Sequence, residues 1–217
     1  RYLYDPSLRG YRLNTDFGEV RLNLGRAFGF AYGHKENGAM FSHMAVMYAN
    51  ALYKRGLVAE GWRVLAGIYE QSQDFPVSRM YPGIPEYFSP RGRGMYPYLT
   101  GSASWYLLTM LTEVYGVRGE LGDLVLAPKL LASQFGADGQ TVVETLFAGK
   151  KLRVTYQNRQ GLDYGQYNIG QVLVNGLEIA SETVPGGVKI KRAAIESLAE
   201  NVEIVAAVIS KEPPSGD

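Results

Sequence analysis

Helical periodicity in the first half of the chain and strand alternation in the second predict an α+β protein, or two separate domains, with the boundary near Glu120. Three observations carry this expectation. From Met40 to Leu52, apolar residues recur at three- and four-residue spacing. From Thr141 onward, short alternating apolar and polar runs follow one another. Between two of those runs stands Asn175-Gly176, the dipeptide of a tight β-hairpin.

Residues 1–34 read as loop with short strands at most, because glycines punctuate the alternation in Arg12–Asn14, Val20–Leu24 and Ala27–Gly33. A run this long without regular structure is usually functional. From Ala39, residues Met40, Phe41, Met44, Met47, Tyr48, Ala51 and Leu52 form one apolar face of a helix that ends at Lys54-Arg55-Gly56, and the methionine-rich stripe reads as core. Val58, Trp62, Leu65, Ile68 and Tyr69 mark the inner face of a second helix running to about Ser72, so Gly56 joins an antiparallel hairpin. Five prolines between Phe75 and Tyr98 exclude regular helix there. A third helix begins in Leu99–Trp105, with Trp105, Leu108, Leu111, Thr112 and Tyr115 on one face and Gly116 at its end.

Strands follow: Leu124–Leu126, Thr141–Phe147, a turn at Gly149-Lys150, Leu152–Tyr156, Tyr167–Val174, Leu177–Ile179, Val188–Ile190 and Val202–Ile209. Short strands in series with hairpin turns indicate an antiparallel β-sandwich. Ile195–Asn201 fits a short helix between strands, and the polar tail 211–217, with two prolines, fits disorder.

Composition excludes several classes of function. The 217 residues carry a formal charge of +1, and their lysines and arginines form no basic run, so no nucleic-acid partner is expected. Without cysteine there is no disulfide scaffold and no thiolate metal site, and His34 and His43 are too few for an ordinary zinc site; no metal is expected. No apolar run spans a membrane and no signal-peptide pattern opens the chain, which places it in the cytoplasm. It begins at Arg1 within a Tyr/Pro/Gly-rich loop, as a fragment or processed piece would. The 16 tyrosines crowd into the first half while the 26 glycines are spread along the chain, and a tyrosine's flat face and hydroxyl suit either a sugar ring or half-buried packing.

Two loop-to-helix junctions carry the chemistry. Thr100-Gly101-Ser102-Ala103-Ser104 opens a helix with small residues, leaving backbone N–H groups and the positive end of the helix dipole toward an anion, with the Thr100 and Ser102 hydroxyls as further donors. Lys35-Glu36-Asn37-Gly38 precedes His43, one turn into its own helix. A histidine can donate to a phosphate oxygen, and a carboxylate such as Glu36 can accept from neighbouring sugar hydroxyls. Together they suggest phosphate beside a polyol.

These two motifs, in this order, resemble the paired signature of the cellobiose-phosphorylase-like enzymes, the inverting disaccharide phosphorylases of glycoside hydrolase family 94. The similarity continues through Tyr115-Gly116-Val117, Gly122-Asp123-Leu124 and Pro128, and spans most of residues 33–180. The resemblance implies the C-terminal part of an (α/α)6 catalytic barrel over residues 1–120, a C-terminal β-sandwich over 121–210 and a disordered tail over 211–217. It implies that His43, Thr100 and Gly101 bind phosphate, and that Lys35 and Glu36 contact sugar hydroxyls. Nothing in the chain matches the surroundings of the family's general-acid aspartate, which is expected upstream, so no catalytic residue is assigned here. The loop Tyr81–Gly94 is short, and many relatives carry a glutamine before Leu-Thr-Gly that this chain lacks. That leaves Tyr87, Arg91 or Arg93 to take over sugar contacts.

The expected activity of the intact protein is phosphorolysis of a β-linked glucosyl disaccharide or oligosaccharide to glucose 1-phosphate and a sugar, with inorganic phosphate as co-substrate and no cofactor. Expected partners are the sugar, phosphate and the remainder of the catalytic domain, with a homodimer as a further option. The alternatives are a phosphorylase-like domain of a cyclic β-1,2-glucan synthase, a non-catalytic carbohydrate-binding protein, or a structural β-sandwich with helical padding.

Overall fold

The computed structural model of the chain describes residues 2–81, 83–98 and 100–211. The chain divides into two compact units, Arg1–Thr109 and Met110–Asp217. Leu99 and the tail 212–217, read from sequence as part of a helix start and as disorder, lie outside the described residues.

The first unit opens with a small hairpin, β1 (Tyr4–Asp5) and β2 (Gly10–Tyr11), followed by two 3-10 turns at Leu22–Leu24 and Arg26–Gly29. Val20–Leu24 and Ala27–Gly33, expected as loop with short strands at most, are 3-10 turn and loop, and among the described residues neither run holds a strand. Next come β3 (Met40–Phe41), α1 (Ser42–Lys54), α2 (Val58–Gln73), the single turn α3 (Phe75–Ser78), β4 (Tyr87–Phe88), β5 (Gly94–Met95) and α4 (Gly101–Thr109). The helix expected from Ala39 starts three residues later, because Met40 and Phe41 pair with Phe88 and Tyr87 as strand.

The buried face of α1 also differs from expectation. Ala45, Val46, Ala49, Leu52 and Tyr53 are buried, while Met44, Met47 and Tyr48 are 39–47% exposed. Small residues win the inner face because α1 and α2 approach closely: a Cβ on Gly61 would stand 2.6 Å from the Tyr53 ring. On α2, Val58, Val64, Leu65 and Ile68 are buried but Tyr69 is exposed, and on α4 Leu108 faces outward. Asn50 Nδ2 donates to Thr109 Oγ1 at 3.1 Å, tying α1 to α4, and the Tyr106 hydroxyl donates to the Leu65 carbonyl at 3.2 Å, tying α4 to α2.

The second unit begins with a π-helical turn, Met110–Val114, and then β6 (Val117–Glu120), β7 (Asp123–Leu126), β8 (Gln140–Phe147), β9 (Lys150–Gln157), β10 (Tyr167–Val174), β11 (Leu177–Glu178), β12 (Glu182–Val184), β13 (Gly187–Ile190), α5 (Arg192–Glu196) and β14 (Asn201–Ser210). Two sheets form, ordered β11-β10-β14-β9-β8 and β12-β13-β7-β6. Their buried rows, among them Leu152, Val154, Tyr156, Ile204 and Ala206 on the first and Leu124, Leu126, Val188 and Ile190 on the second, are consistent with a β-sandwich. Three hairpins close through two-residue turns with positive φ at both positions, Leu121-Gly122, Ala148-Gly149 and Asn175-Gly176, as a type I′ turn requires. The turn read at Gly149-Lys150 thus sits one residue earlier.

Three features depart from expectation. β14 runs parallel to β9, Val202 opposite Leu152 and Ile204 opposite Val154, so the sheet is mixed rather than antiparallel. The short helix α5 covers Arg192–Glu196 instead of 195–201, since its backbone start is anchored by the Arg192 N–H donating to Asp123 Oδ1 at 3.0 Å. β6 and β12 are short strands outside those the sequence pattern predicts. Tyr156 and Tyr167 carry hydroxyls into this core: the first donates to the Tyr115 carbonyl at 2.7 Å, and the second accepts from the Leu130 N–H at 2.9 Å while lying 3.1 Å from the Pro128 carbonyl. Burial pushes both phenols above their ordinary range. Among the described residues no helix is long and apolar enough to cross a membrane.

Candidate functional site

A three-stranded sheet inside the first unit, ordered β3-β4-β5, positions the candidate site. Its register sets Phe41, Tyr87 and Met95 side by side. The Lys35–Gly38 turn leads into β3, His43 follows it at the start of α1, and Tyr96 follows β5. One small sheet therefore gathers residues far apart in sequence.

The Lys35–Gly38 turn is closed by Gly33 N–H donating to the Asn37 carbonyl at 2.7 Å and Asn37 N–H donating to the His34 carbonyl at 3.1 Å. Gly38 is required twice over: its φ is +70°, and a Cβ there would stand 2.0 Å from Cε2 of Tyr32. Asn37 is buried and paired, its Nδ2 donating to the Phe30 carbonyl at 2.7 Å and its Oδ1 accepting from Asn14 Nδ2 at 3.0 Å. Asn14 Oδ1 in turn accepts from the Gly38 N–H at 2.8 Å, and Arg12 Nη1 donates to the Gly38 carbonyl at 2.8 Å. Arg12 is itself clamped by Asp5 Oδ2 at 2.6 Å. The long N-terminal segment braces the turn from behind.

Lys35, Glu36 and Tyr87 line one cavity of about 230 Å³, whose wall Arg26, Glu86, Tyr96 and Tyr98 complete above Phe41. Lys35 sits in left-handed backbone conformation, φ +47°, and Tyr96 does too, φ +57°. Two non-glycine residues in that costly region meeting in one cavity is the kind of strain found at functional sites. The Lys35 ammonium lies 5.3 Å from the Tyr96 ring centroid and 4.8 Å from that of Phe30. Its hydrogen bond with the Tyr96 hydroxyl holds the lysine above its ordinary range. Tyr87 is only 3% exposed and stacks on Phe41 with centroids 6.2 Å apart; burial, reinforced by neighbouring Tyr96, raises its phenol. The Lys35 backbone N–H donates to that phenol, so Tyr87 supports the turn from below.

His43 and Gly101 touch. The imidazole is half-buried as the second residue of α1, beside Trp105 with ring centroids 6.1 Å apart, and a Cβ on Gly101 would stand 2.7 Å from its Cε1. Thr100 Oγ1 accepts from the Ser102 N–H at 3.3 Å, capping α4, and keeps its own proton for another acceptor. Ser102, read from sequence as a further donor, is fully buried, and its Oγ has no partner among the described residues. Arg91 and Arg93 are exposed on the turn before β5 and are not among the residues lining the cavity. Sequence reasoning missed Arg26, Glu86, Tyr96 and Tyr98; the only advance signal was the crowding of tyrosines in this half.

No family model matches the chain. It is similar to an N,N′-diacetylchitobiose phosphorylase of Vibrio furnissii, 27% identical over 184 residues that cover 81% of this chain and 22% of that protein. It is also similar to a cellobionic acid phosphorylase of Neurospora crassa, 26% identical over 154 residues that cover 56% of this chain and 18% of that protein. The chain thus spans about a fifth of the length of these curated relatives. At this distance the similarity is to disaccharide phosphorylases as a class.

Proposed function

We propose that the chain is the C-terminal part of an inverting disaccharide phosphorylase and supplies half of its active site. The supporting observation is the contact between His43 and Gly101, which sets an imidazole against the N-terminus of a nine-residue helix, with His43 two residues after Phe41 in sequence, a residue of the polar cavity. An imidazole N–H, the Thr100 hydroxyl and the first free backbone N–H groups of α4 form a cradle for a phosphate dianion. Lys35 and Glu36 offer a donor and an acceptor to sugar hydroxyls. Phosphate is already an anionic nucleophile, so phosphorolysis needs only one carboxylic acid for the leaving oxygen, where hydrolysis with inversion needs two carboxyl groups. Phosphate oxygen attacks the anomeric carbon, the glycosidic bond breaks, and the acid's proton goes to the departing oxygen. In this reading that acid comes from another part of a longer protein, and the glycosyl group leaves as glucose 1-phosphate. The two relatives are named for different disaccharides, so the acceptor here is a separate question.

Titrating the 217-residue chain with inorganic phosphate, by calorimetry or by amide shifts, tests the cradle. Binding that falls at least tenfold in His43→Ala is expected. Equal affinity in both proteins would sink the reading.

A further inference from the structure

Among the described residues the two sheets of the second unit end in four edges, and three of these are short: β11 has two residues, β12 three and β6 four. A short edge offers another strand little to pair with. The fourth, β8, runs eight residues, Gln140–Phe147, in unbroken register with β9. It holds no lysine, proline or bulge, the usual protections of an exposed edge. Its single charge, Glu144, is already paired with Arg153 of β9.

Which backbone groups of β8 are open follows from its turn. A two-residue turn makes Phe147 and Lys150 a hydrogen-bonded pair, so Thr141, Val143, Thr145 and Phe147 direct their N–H and C=O groups at β9. Gln140, Val142, Glu144 and Leu146 direct theirs outward. Those of Gln140 are engaged: its N–H donates to Asp138 Oδ1 at 3.0 Å, and its carbonyl accepts from the Gly136 N–H at 2.8 Å. No hydrogen bond among the described residues reaches those of Val142, Glu144 and Leu146. The open stretch is thus symmetric about Glu144, with an exposed apolar side chain on each flank, Val142 at 36% and Leu146 at 73%.

We infer that β8 pairs antiparallel with β8 of a second copy of this chain, about a twofold axis through Glu144. A twofold axis needs a self-complementary surface, and this stretch is one. Val142 of each copy meets Leu146 of the other, so the two exposed apolar side chains cover each other, and every open N–H and C=O of the stretch finds a partner. Val143 and Thr145, both β-branched, stand opposite each other on the inner row. An axis through any other residue of β8 sets open groups against the engaged Gln140 or the turn. The join is small and brings two carboxylates face to face, so the dimer is weak. It is independent of the phosphate and sugar reading, which concerns the first unit.

Sedimentation equilibrium of the 217-residue chain tests this. The mass is expected to rise from that of a monomer toward that of a dimer, with half-association at about 10–100 μM. Glu144→Gln removes the repulsion at the axis and is expected to tighten association about threefold or more; added salt acts in the same direction by screening it. Glu144→Pro deletes an outward N–H without touching the ladder to β9, and Leu146→Lys sets a charge against the partner copy's apolar flank. Each is expected to weaken association about tenfold or more, with the circular dichroism of the folded chain retained. Leu146→Lys changes an exposed side chain only, so it decides the matter if Glu144→Pro disturbs the strand. A chain that stays monomeric to about 1 mM, a dimer that Leu146→Lys leaves intact, or one that Glu144→Gln weakens would overturn the inference.

Discussion

The Cα of Gly101 faces the imidazole of His43 so closely that a methyl group on it would stand 2.7 Å from Cε1. The backbone of Gly101 is not in the left-handed region, so alanine meets no conformational penalty there; the obstacle is the histidine. Gly101→Ala is therefore expected to leave thermal stability within about 1 kcal/mol while turning the imidazole away. Under the phosphate reading, phosphate affinity drops about tenfold or more. Calorimetry beside a thermal melt separates the two effects, and wild-type affinity in the variant would count against the cradle.

Gly38→Ala should behave differently. It places a Cβ at positive φ and into the Tyr32 ring, so it costs about 2–4 kcal/mol by combining backbone strain with overpacking. Urea unfolding is the measurement. A loss below 1 kcal/mol would mean that the turn and Tyr32 rearrange freely.

Arg12 links this turn to Asp5, and that link is pH-dependent. Burial pushes the Asp5 carboxyl up, but hydrogen bonds from Ser7 and Arg12 more than offset it, and the group lies below its ordinary value of 3.8. A carboxyl lowered on folding contributes stability that is fully present above its unfolded pKa and is lost as pH falls through the folded one. Asp5→Asn is thus expected to cost about 1–2 kcal/mol at pH 7, and the gap to wild type should narrow below about pH 4. Melting curves at pH 7 and pH 3 check it; a gap that widens in acid would contradict the assignment.

In the second unit, Lys129 Nζ meets Glu113 Oε2 at 2.7 Å, with side chains 18% and 11% exposed. Removing one partner leaves the other charge in a mostly dry site, so Lys129→Met is expected to cost about 3 kcal/mol. Lys129→Met combined with Glu113→Leu should recover much of that loss. A double mutant as unstable as the single one would show that the cost lies in packing.

The strands most legible in sequence were those whose pattern is local. Tyr167–Val174 alternates cleanly and runs into Asn175-Gly176, so both its limits and its hairpin could be read. The pairing of β14 with β9 could not, because a parallel pair has no turn to announce it and its partners stand about fifty residues apart. The α1 face differs from the apolar pattern because large side chains such as Met44, Met47 and Tyr48 mark a face in sequence, whereas close helix packing selects Ala45 and Ala49. At the candidate site, Lys35, Glu36 and Tyr87 could be named from motif and composition. Arg26, Glu86 and Tyr96 could not, since only the β3-β4-β5 register and the fold of the preceding loop bring them to the same cavity.

The place of β14 has a consequence for how the second unit is made. It is the last of the described strands and lies between β9 and β10, so until residue 201 and beyond leave the ribosome those two strands have no common neighbour. The β8-β9 and β10-β11 hairpins emerge first as separate pieces with open inner edges, and the final strand joins them. Late closure of this kind makes folding slow and exposes strand edges during synthesis. Truncation before Asn201 leaves two hairpins in place of a sheet.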